Sequence, residues 1–420
     1  MKVWILTLVA ANALFAVDPQ QLALSVKAES EFDRVELAPL PSLSDTGLCV
    51  QSQAAMLPVS APTDGALLYF RRGYCTLAGA ALTADSREYE ASAADFDRAL
   101  AAWPARRRKT AKPQPPEPVS SALRILPWIA RLHASTDAKV QAAARTEIES
   151  ALAAPACNSN LLPETVCERV LETGREWLGW MALEDRRLEQ AAGYFAGSRD
   201  SGWPEWVEGR RRFALGNYAE AAAQQERAVA TWKVLWRESG TSLSLRLGPK
   251  PDVAVALADL GGSQLLAGDA RRAIASLDAS LKANPDNPEA LYRRARAHDL
   301  AGDREAALAD YGMAARTAFA GARDLASGEA HLYRGVLLYR RKDFARAEGE
   351  FASALNFEIP EALRPDARAW RSLAAVAGGA CGAARQTLNE RLDAVSPYFP
   401  KQEARQAAAA CRESSNIPAP

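Results

Sequence analysis

The most regular feature of the sequence is a set of small and apolar positions that recurs at a nearly constant interval. Within residues 254–285, Gly261 is followed twelve positions later by Ala273 and then by Leu277. The same scheme begins again at Ala295, which lies 34 residues after Gly261. Apolar positions three and four residues apart are typical of amphipathic helices. Self-similarity at this period indicates a stack of two-helix units.

Further copies of the pattern occur on both sides of this stretch. Each copy predicts two antiparallel helices joined by a tight turn, and Gly268-Asp269 and Gly302-Asp303 suit such turns. Pro285 ends one helix before the next begins. Small residues let the two helices of a pair approach closely, and a large residue fills the seam toward the next pair. The positions that carry the scheme elsewhere are Leu178, Gly179, Ala191, Phe195, Gly209, Tyr218, Ala221, Ala228, Ala307, Tyr311, Gly335, Ala347 and Phe351.

This pattern resembles the tetratricopeptide repeat (TPR) family. The match is close over residues 254–355 and good over about 173–230. Residues 65–104 fit only with an insertion, and residues 367–392 resemble a degenerate final unit. The resemblance implies an all-α fold, a right-handed α-solenoid of antiparallel helix pairs. It also implies a concave groove, lined by the first helix of each pair, that binds a protein or peptide.

The remaining stretches differ in composition from the repeats. Residues 17–63 contain five prolines and little helical periodicity, so they are predicted to form an extended N-terminal arm. An insertion at residues 238–251 is rich in Gly, Ser and Pro and predicts a surface loop. The predicted segments are a signal peptide (1–16), the arm (17–63), a TPR-like helix pair (64–104), a basic Pro-rich linker (105–118), a helical segment clipped by a disulfide (119–172), the TPR array (173–392), and a C-terminal capping helix and tail (393–420).

The N-terminus has the pattern of a secretory signal. Lys2 is followed by an apolar run over residues 3–17, about 15 residues, which is too short to span a bilayer comfortably. Small residues permit cleavage after Ala13 or after Ala16. An uncleaved N-terminal anchor is the alternative. We therefore expect a periplasmic or secreted protein.

Six cysteines fall into three pairs that are local in sequence. An even number of cysteines behind a secretory signal suggests disulfide bonds. Proximity favours the bridges Cys49–Cys75, Cys157–Cys167 and Cys381–Cys411. The alternative is six buried free thiols in a cytosolic protein.

Composition and charge narrow the functional classes. The chain has 420 residues, of which 48% are hydrophobic, and its 51 basic residues balance 51 acidic ones. This composition is too apolar for a disordered protein. A neutral chain also has no overall field to attract nucleic acid. We interpret the basic run at residues 106–109 as a solvated linker, with contact to anionic lipid or polysaccharide as the alternative.

The sequence lacks the usual signatures of catalytic sites. No phosphate-binding loop, nucleophile elbow or His-Glu-x-x-His helix occurs in it. His133, His298 and His331 lie far apart and show no metal-ligand spacing with cysteines. We therefore predict a non-enzymatic protein with no cofactor and no metal.

The strongest functional prediction is a set of aromatic and arginine residues on the first helices. Aromatic rings give a large contact area, and arginine pairs with carboxylates through two parallel hydrogen bonds. The expected partner is a protein or peptide with acidic and apolar residues. In the alternative interpretation, the aromatics pack between helices and the arginines only solvate the face. The predicted groove residues are Phe70, Arg71, Tyr74, Trp177, Trp180, Trp206, Arg210, Phe213, Tyr292, Arg293, Arg296, Tyr333, Tyr339 and Arg340.

Three other functions compete with a scaffold that binds a protein. An exported repeat protein could bind glycans or nutrients on stacked tryptophans, here Trp177, Trp180, Trp206 and Trp236. An enzyme could build its site from residues 17–63 and the loop at 238–251. A structural spacer would need no binding site at all.

Overall fold

All regular secondary structure in the described part of the chain is helical. The computed structural model describes residues 19–36, 38–58, 65–103, 120–157, 163–198, 201–236, 242–316, 325–357, 359–397 and 399–414. The predicted signal peptide and the basic linker lie outside these ranges. The helices are α1 Pro19–Glu36, α2 Leu43–Met56, α3 Gly65–Thr83, α4 Ser86–Ala102, α5 Ser121–Ala134, α6 Ala138–Ala153, α7 Glu164–Glu184, α8 Leu188–Phe195, α9 Trp203–Ala214, α10 Tyr218–Leu235, α11 Leu243–Leu247, α12 Val253–Leu266, α13 Ala270–Ala283, α14 Pro288–Ala301, α15 Arg304–Arg316, α16 Leu325–Arg340, α17 Phe344–Asn356, α18 Arg364–Ala377, α19 Gly382–Arg391 and α20 Lys401–Ser414.

The chain divides into two compact units. Unit 1 comprises residues 1–207 and 231–250, and unit 2 comprises residues 208–230 and 251–420. Consecutive helices pack as hairpins within each unit. First helices of successive pairs also touch, as α5 touches α7 in unit 1 and α12, α14, α16 and α18 follow one another in unit 2. The predicted all-α stack of helix pairs is confirmed, and its division falls inside the array predicted at residues 173–392.

In two of the helix pairs, a glycine on the first helix allows the second helix to pack closely against it. A Cβ atom on Gly261 would lie 2.5 Å from Cγ of Leu277, so no side chain fits between α12 and α13. Gly335 meets Phe351 in the same way, with a Cβ placed 2.7 Å from that ring. Phe351 also stacks on Trp370 of the next pair at 5.8 Å between centroids. The predicted roles of the small residue and the large seam residue therefore hold in this unit.

The predicted extended arm is wrong, because residues 19–36 and 43–56 form helices α1 and α2. Proline punctuates these helices instead of extending the chain, since Pro19 begins α1 and Pro39 lies in the connection to α2. Ser42 then starts α2 with a capping box, in which its hydroxyl accepts from the next turn. The helical periodicity was weak in sequence because most of α1 is exposed.

All three predicted disulfides are confirmed. Cys49–Cys75 joins α2 to α3. Cys157–Cys167 joins the segment that follows α6 to helix α7. Cys381–Cys411 joins the residue that precedes α19 to helix α20. Each bridge lies within one unit. Among the described residues, no helix is long and apolar enough to cross a membrane.

Candidate functional site

The structure buries a large part of the predicted groove set. A side chain that is less than a tenth exposed presents almost no surface to a partner. The prediction that these residues contact a partner is therefore wrong. Their burial supports the alternative interpretation, in which the aromatics pack between helices. The buried members are Phe70, Tyr74, Trp177, Trp206, Tyr292 and Tyr339.

Helix α1 covers the predicted contact surface of α3. The ring of Phe32 on α1 meets Tyr74 edge-on, with 5.9 Å between centroids. The guanidinium of Arg71 lies 5.0 Å over the same Phe32 ring and 3.8 Å from the Glu29 carboxylate. Phe70 points the other way and packs on Phe96 of α4 at 5.8 Å. The segment expected to be an extended arm thus occupies the face where a partner was predicted.

Trp177 does bind a peptide segment through a hydrogen bond, but this segment belongs to the same chain. Residues 242–250, which we call the strap, cross the first helices of unit 1 and include the short helix α11. The indole Nε1–H of Trp177 donates to the Leu247 carbonyl at 2.9 Å. His133 Nε2 lies 3.0 Å from the same oxygen. The predicted surface loop at residues 238–251 is therefore wrong over the strap, which is largely buried.

The four tryptophans proposed as a glycan platform do not form one. Trp206 packs on Trp232 at 5.4 Å and is 5% exposed. Trp180 meets Trp177 edge-on at 5.6 Å, and Trp236 lies 5.9 Å from the Lys250 ammonium. Because Trp177 and Trp206 are buried, the four tryptophans do not present a row of open ring faces on which sugars could stack.

Unit 2 keeps its predicted cations at the surface of the first helices. Arg210 and Arg296 are half-buried, and Arg340 is exposed. Phe213 is 36% exposed, but its ring packs edge-on against Tyr218 at 5.3 Å. This part of the predicted set stays accessible.

Arg293 has a structural role on this face. It bridges α12 and α14, with contacts of 3.0 Å to Asp259 and 2.7 Å to Glu289. Its Nη1 also donates to the Ala258 carbonyl at 2.8 Å. Because its hydrogen bonds are already used, Arg293 has few donors left for a partner.

Arg296 is placed differently, over a group of tyrosines. Its guanidinium lies 5.2 Å from the centre of the Tyr333 ring. Tyr292 and Tyr311 lie 6.2 Å and 6.1 Å from Tyr333 between centroids. Burial raises the pKa of Tyr333 and of Tyr311, so these phenols stay neutral at physiological pH. A cation above a neutral aromatic face is held in place without losing its charge.

Among the described residues, no carboxylate forms an ion pair with Arg296, unlike its neighbours. Arg294 makes two contacts of 2.7 Å, to Asp278 and to Asp310. Tyr292 uses its hydroxyl to donate to Glu329. The side chain of Arg296 is instead hydrogen-bonded to Tyr292.

The sequence reasoning missed His133 and the strap. His133 stacks on Tyr89 with 4.8 Å between centroids and meets Trp177 edge-on at 5.2 Å. Leu243 and Leu247, four residues apart in a segment predicted to be a loop, were the available signal of burial. Within the described ranges, no cluster of three or more His, Cys, Asp or Glu side chains could hold a metal ion.

Comparisons with known proteins found likeness only among solved structures. No family model matches the chain, and no curated protein matches it. A TPR protein of Thermus thermophilus is 19% identical and has a TM-score of 0.32, covering 50% of this chain and 99% of its own. Yeast Tom70 is 11% identical, with a TM-score of 0.38 and coverage of 94% and 90%. A TPR protein of Parabacteroides merdae is 13% identical, with a TM-score of 0.38 and coverage of 69% and 99%.

The resemblance to TPR proteins is confirmed in the helix pairs of this chain. The small residue on the first helix and the large residue on the second meet at the predicted positions in the pairs α7–α8, α12–α13 and α16–α17. These contacts define the class of architecture, a stack of TPR-like helix pairs, and leave the partner undefined.

Proposed function

We propose that this protein is a non-enzymatic scaffold that binds a protein or peptide on the first helices of unit 2. The observation that carries the proposal is Arg296, a half-buried cation over the Tyr333 ring that lacks a carboxylate partner among the described residues. A half-buried arginine that lies over an aromatic ring is a typical anchor at interfaces, since its charge is only partly solvated before binding.

The chemistry of the surface defines the partner. Arg296 would pair with an Asp or Glu side chain through two hydrogen bonds. The edge of Tyr333 beside it offers apolar contact, and Arg340, exposed at the end of α16, adds a second cation. We therefore propose an acidic and apolar peptide segment as the ligand.

The compartment belongs to the same proposal. Three disulfides and no free cysteine among the described residues fit an oxidising environment, in which such bridges persist. Together with the signal-like N-terminus, this supports a periplasmic or secreted scaffold.

A peptide-display selection followed by measured affinities tests the binding surface. Selected peptides should carry Asp or Glu beside an apolar residue. Their affinity should fall at least about tenfold in Arg296→Gln, because a hydrogen bond to a charged group contributes roughly 1.5–3 kcal/mol. The control is Arg304→Gln, an exposed arginine on the second helix α15, which should leave affinity unchanged. Selection of no peptide, or equal binding by Arg296→Gln, would reject the proposal.

A further inference from the structure

We propose that the first-helix face of unit 1 is a second peptide-binding site and that the strap, residues 242–250, is its internal ligand. The ligand class is a short segment with leucines four positions apart, followed by Gly-Pro. This site is separate from the Arg296 surface and does not depend on it.

The strap is held through its backbone, as a bound peptide is. The Leu243 amide donates to the Pro39 carbonyl at 2.7 Å. At the other end of α11, the Leu247 carbonyl accepts from the Trp177 indole at 2.9 Å and from His133 at 3.0 Å. Because a carbonyl only accepts, the Nε2 of His133 must carry the proton. Backbone contacts of this kind recognise a segment with little regard to its side chains.

The two leucines supply the apolar part of the recognition. Leu243 and Leu247 are 5% and 6% exposed and belong to the hydrophobic core of unit 1. Removing these two side chains from water stabilises the docked segment. Gly248 and Pro249 are buried as well, which fixes the exit of the strap.

The receptor side is built from ordered rings. His133 is stacked on Tyr89 at an angle of 10° and stands perpendicular to Trp177. Both N–H groups therefore point to one position, where a peptide oxygen is received. Burial lowers the pKa of His133, so that the ring stays neutral while it donates this hydrogen bond.

The strap itself has little structure without this face. Helix α11 has five residues, a single turn, and isolated helices of that length are unstable in water. Its contacts span 70 residues to Trp177 and 114 to His133. The segment is thus distant in sequence from the face that it occupies, and an equivalent segment from a partner would fit the same face.

The test releases the strap and offers the same segment as a free peptide. The variant Leu243→Asp/Leu247→Asp removes both apolar anchors in the full chain. The probe is the acetylated and amidated peptide of residues 242–250, labelled at its N-terminus and measured by fluorescence anisotropy. It should bind the release variant at least tenfold more tightly than the wild type, whose site is filled. A probe with both leucines replaced by Asp should not bind.

Two further variants locate the binding. Ala230→Asp/Val234→Asp adds the same charge at exposed positions of α10, and it should bind no more probe than the wild type. Trp177→Phe in the release variant keeps an apolar ring and loses the N–H, so affinity should drop three- to tenfold. Absence of binding to a folded release variant, or binding unaffected by Trp177→Phe, would overturn the proposal.

Hydrogen exchange of the wild type decides the question without any substitution. The amides of residues 243–247 should exchange through an opening in which α5 and α7 stay protected. If the strap exchanges only together with α5 and α7, it is an integral part of the core and not a ligand.

Discussion

At the scale of single residues, burial decides the charge of two carboxyl groups in unit 1. Desolvation, together with a smaller contribution from the nearby Glu172, raises the pKa of Glu176 to about 7. Desolvation also raises the pKa of Glu36 to about 7, against the attraction of Arg71 and Arg169. One oxygen of Glu36 is buried and has no hydrogen-bond partner among the described residues. Such groups favour the protonated form, because the folded chain cannot solvate a carboxylate there.

The raised pKa of Glu176 makes the free energy of unfolding depend on pH. Above its ordinary pKa of 4.5 the unfolded chain loses this proton, whereas the folded chain keeps it up to about pH 7. Between these values the folded state binds more protons, so its stability falls as pH rises. Glu176→Gln should therefore match the wild type near pH 4.5 and exceed it by roughly 1–3 kcal/mol at pH 8.

Urea unfolding at the two pH values measures this difference. Glu168→Gln, an exposed position on the same helix α7, should show no such pH dependence. A stabilisation by Glu176→Gln that is equal at both pH values would mean that Glu176 is ionised in the folded protein.

At the scale of helices, the close approach within each pair depends on one small residue. Gly179, Gly261 and Gly335 all face a large side chain of the second helix, so that the pair has no space for a Cβ. The ring or branched chain that fills this space is fully buried in each case, as Phe195, Leu277 and Phe351 are 0% exposed. Shape, more than hydrophobicity alone, fixes the register of the pairs.

Replacing glycine by alanine should therefore have opposite effects on the stability of the protein at Gly261 and at Gly349. In Gly261→Ala the new Cβ would lie 2.5 Å from Leu277, and overpacking should destabilise the protein by about 1–3 kcal/mol. In Gly349→Ala the new Cβ meets nothing within 4 Å, and helix propensity should stabilise the protein by about 0.5–1 kcal/mol. Denaturant unfolding of both variants checks the signs. A neutral Gly261→Ala would show that α12 and α13 are not closely packed.

The helix pairs were predictable from sequence because their determinants are local. Gly261 and Leu277 lie within one repeat, so their spacing is visible in the chain. The same is true of the three disulfides, whose partners are 10 to 30 residues apart. Helices α1 and α2 were not predicted, because the prolines of residues 17–63 and the weak periodicity of the exposed α1 both favour extended chain.

The candidate site was only partly predictable, since exposure depends on what covers a face. Trp177 and Arg296 both lie on first helices, within two residues of the small residues Gly179 and Ala295. The strap, whose contacts with first helices span up to 165 residues, covers the first, and no local pattern encodes that distance. The surroundings of Arg296 are local by comparison, since Tyr292 lies one turn before it on α14 and Tyr333 lies on the neighbouring first helix α16.

At the scale of the whole molecule, segments that follow one another in the chain do not always belong to the same compact unit. Unit 1 is completed by residues 231–250, which follow a segment that belongs to unit 2. Trp232 shows how this returning segment is built into unit 1. It is 1% exposed, and its indole donates to the Ser201 carbonyl at 2.8 Å. Neighbouring helices can pair early during folding, whereas contacts that close long stretches of chain cost more entropy.

Docking of the strap should therefore be a late event in folding. Leu247→Ala removes a buried anchor and should speed unfolding at least about tenfold while leaving the folding rate nearly unchanged. Leu123→Ala on α5, buried among neighbouring helices, should slow folding as well. Stopped-flow folding and unfolding at several denaturant concentrations separate the two effects. If Leu247→Ala slowed folding and left unfolding unchanged, the strap would already be docked in the transition state, and unit 1 would assemble around it.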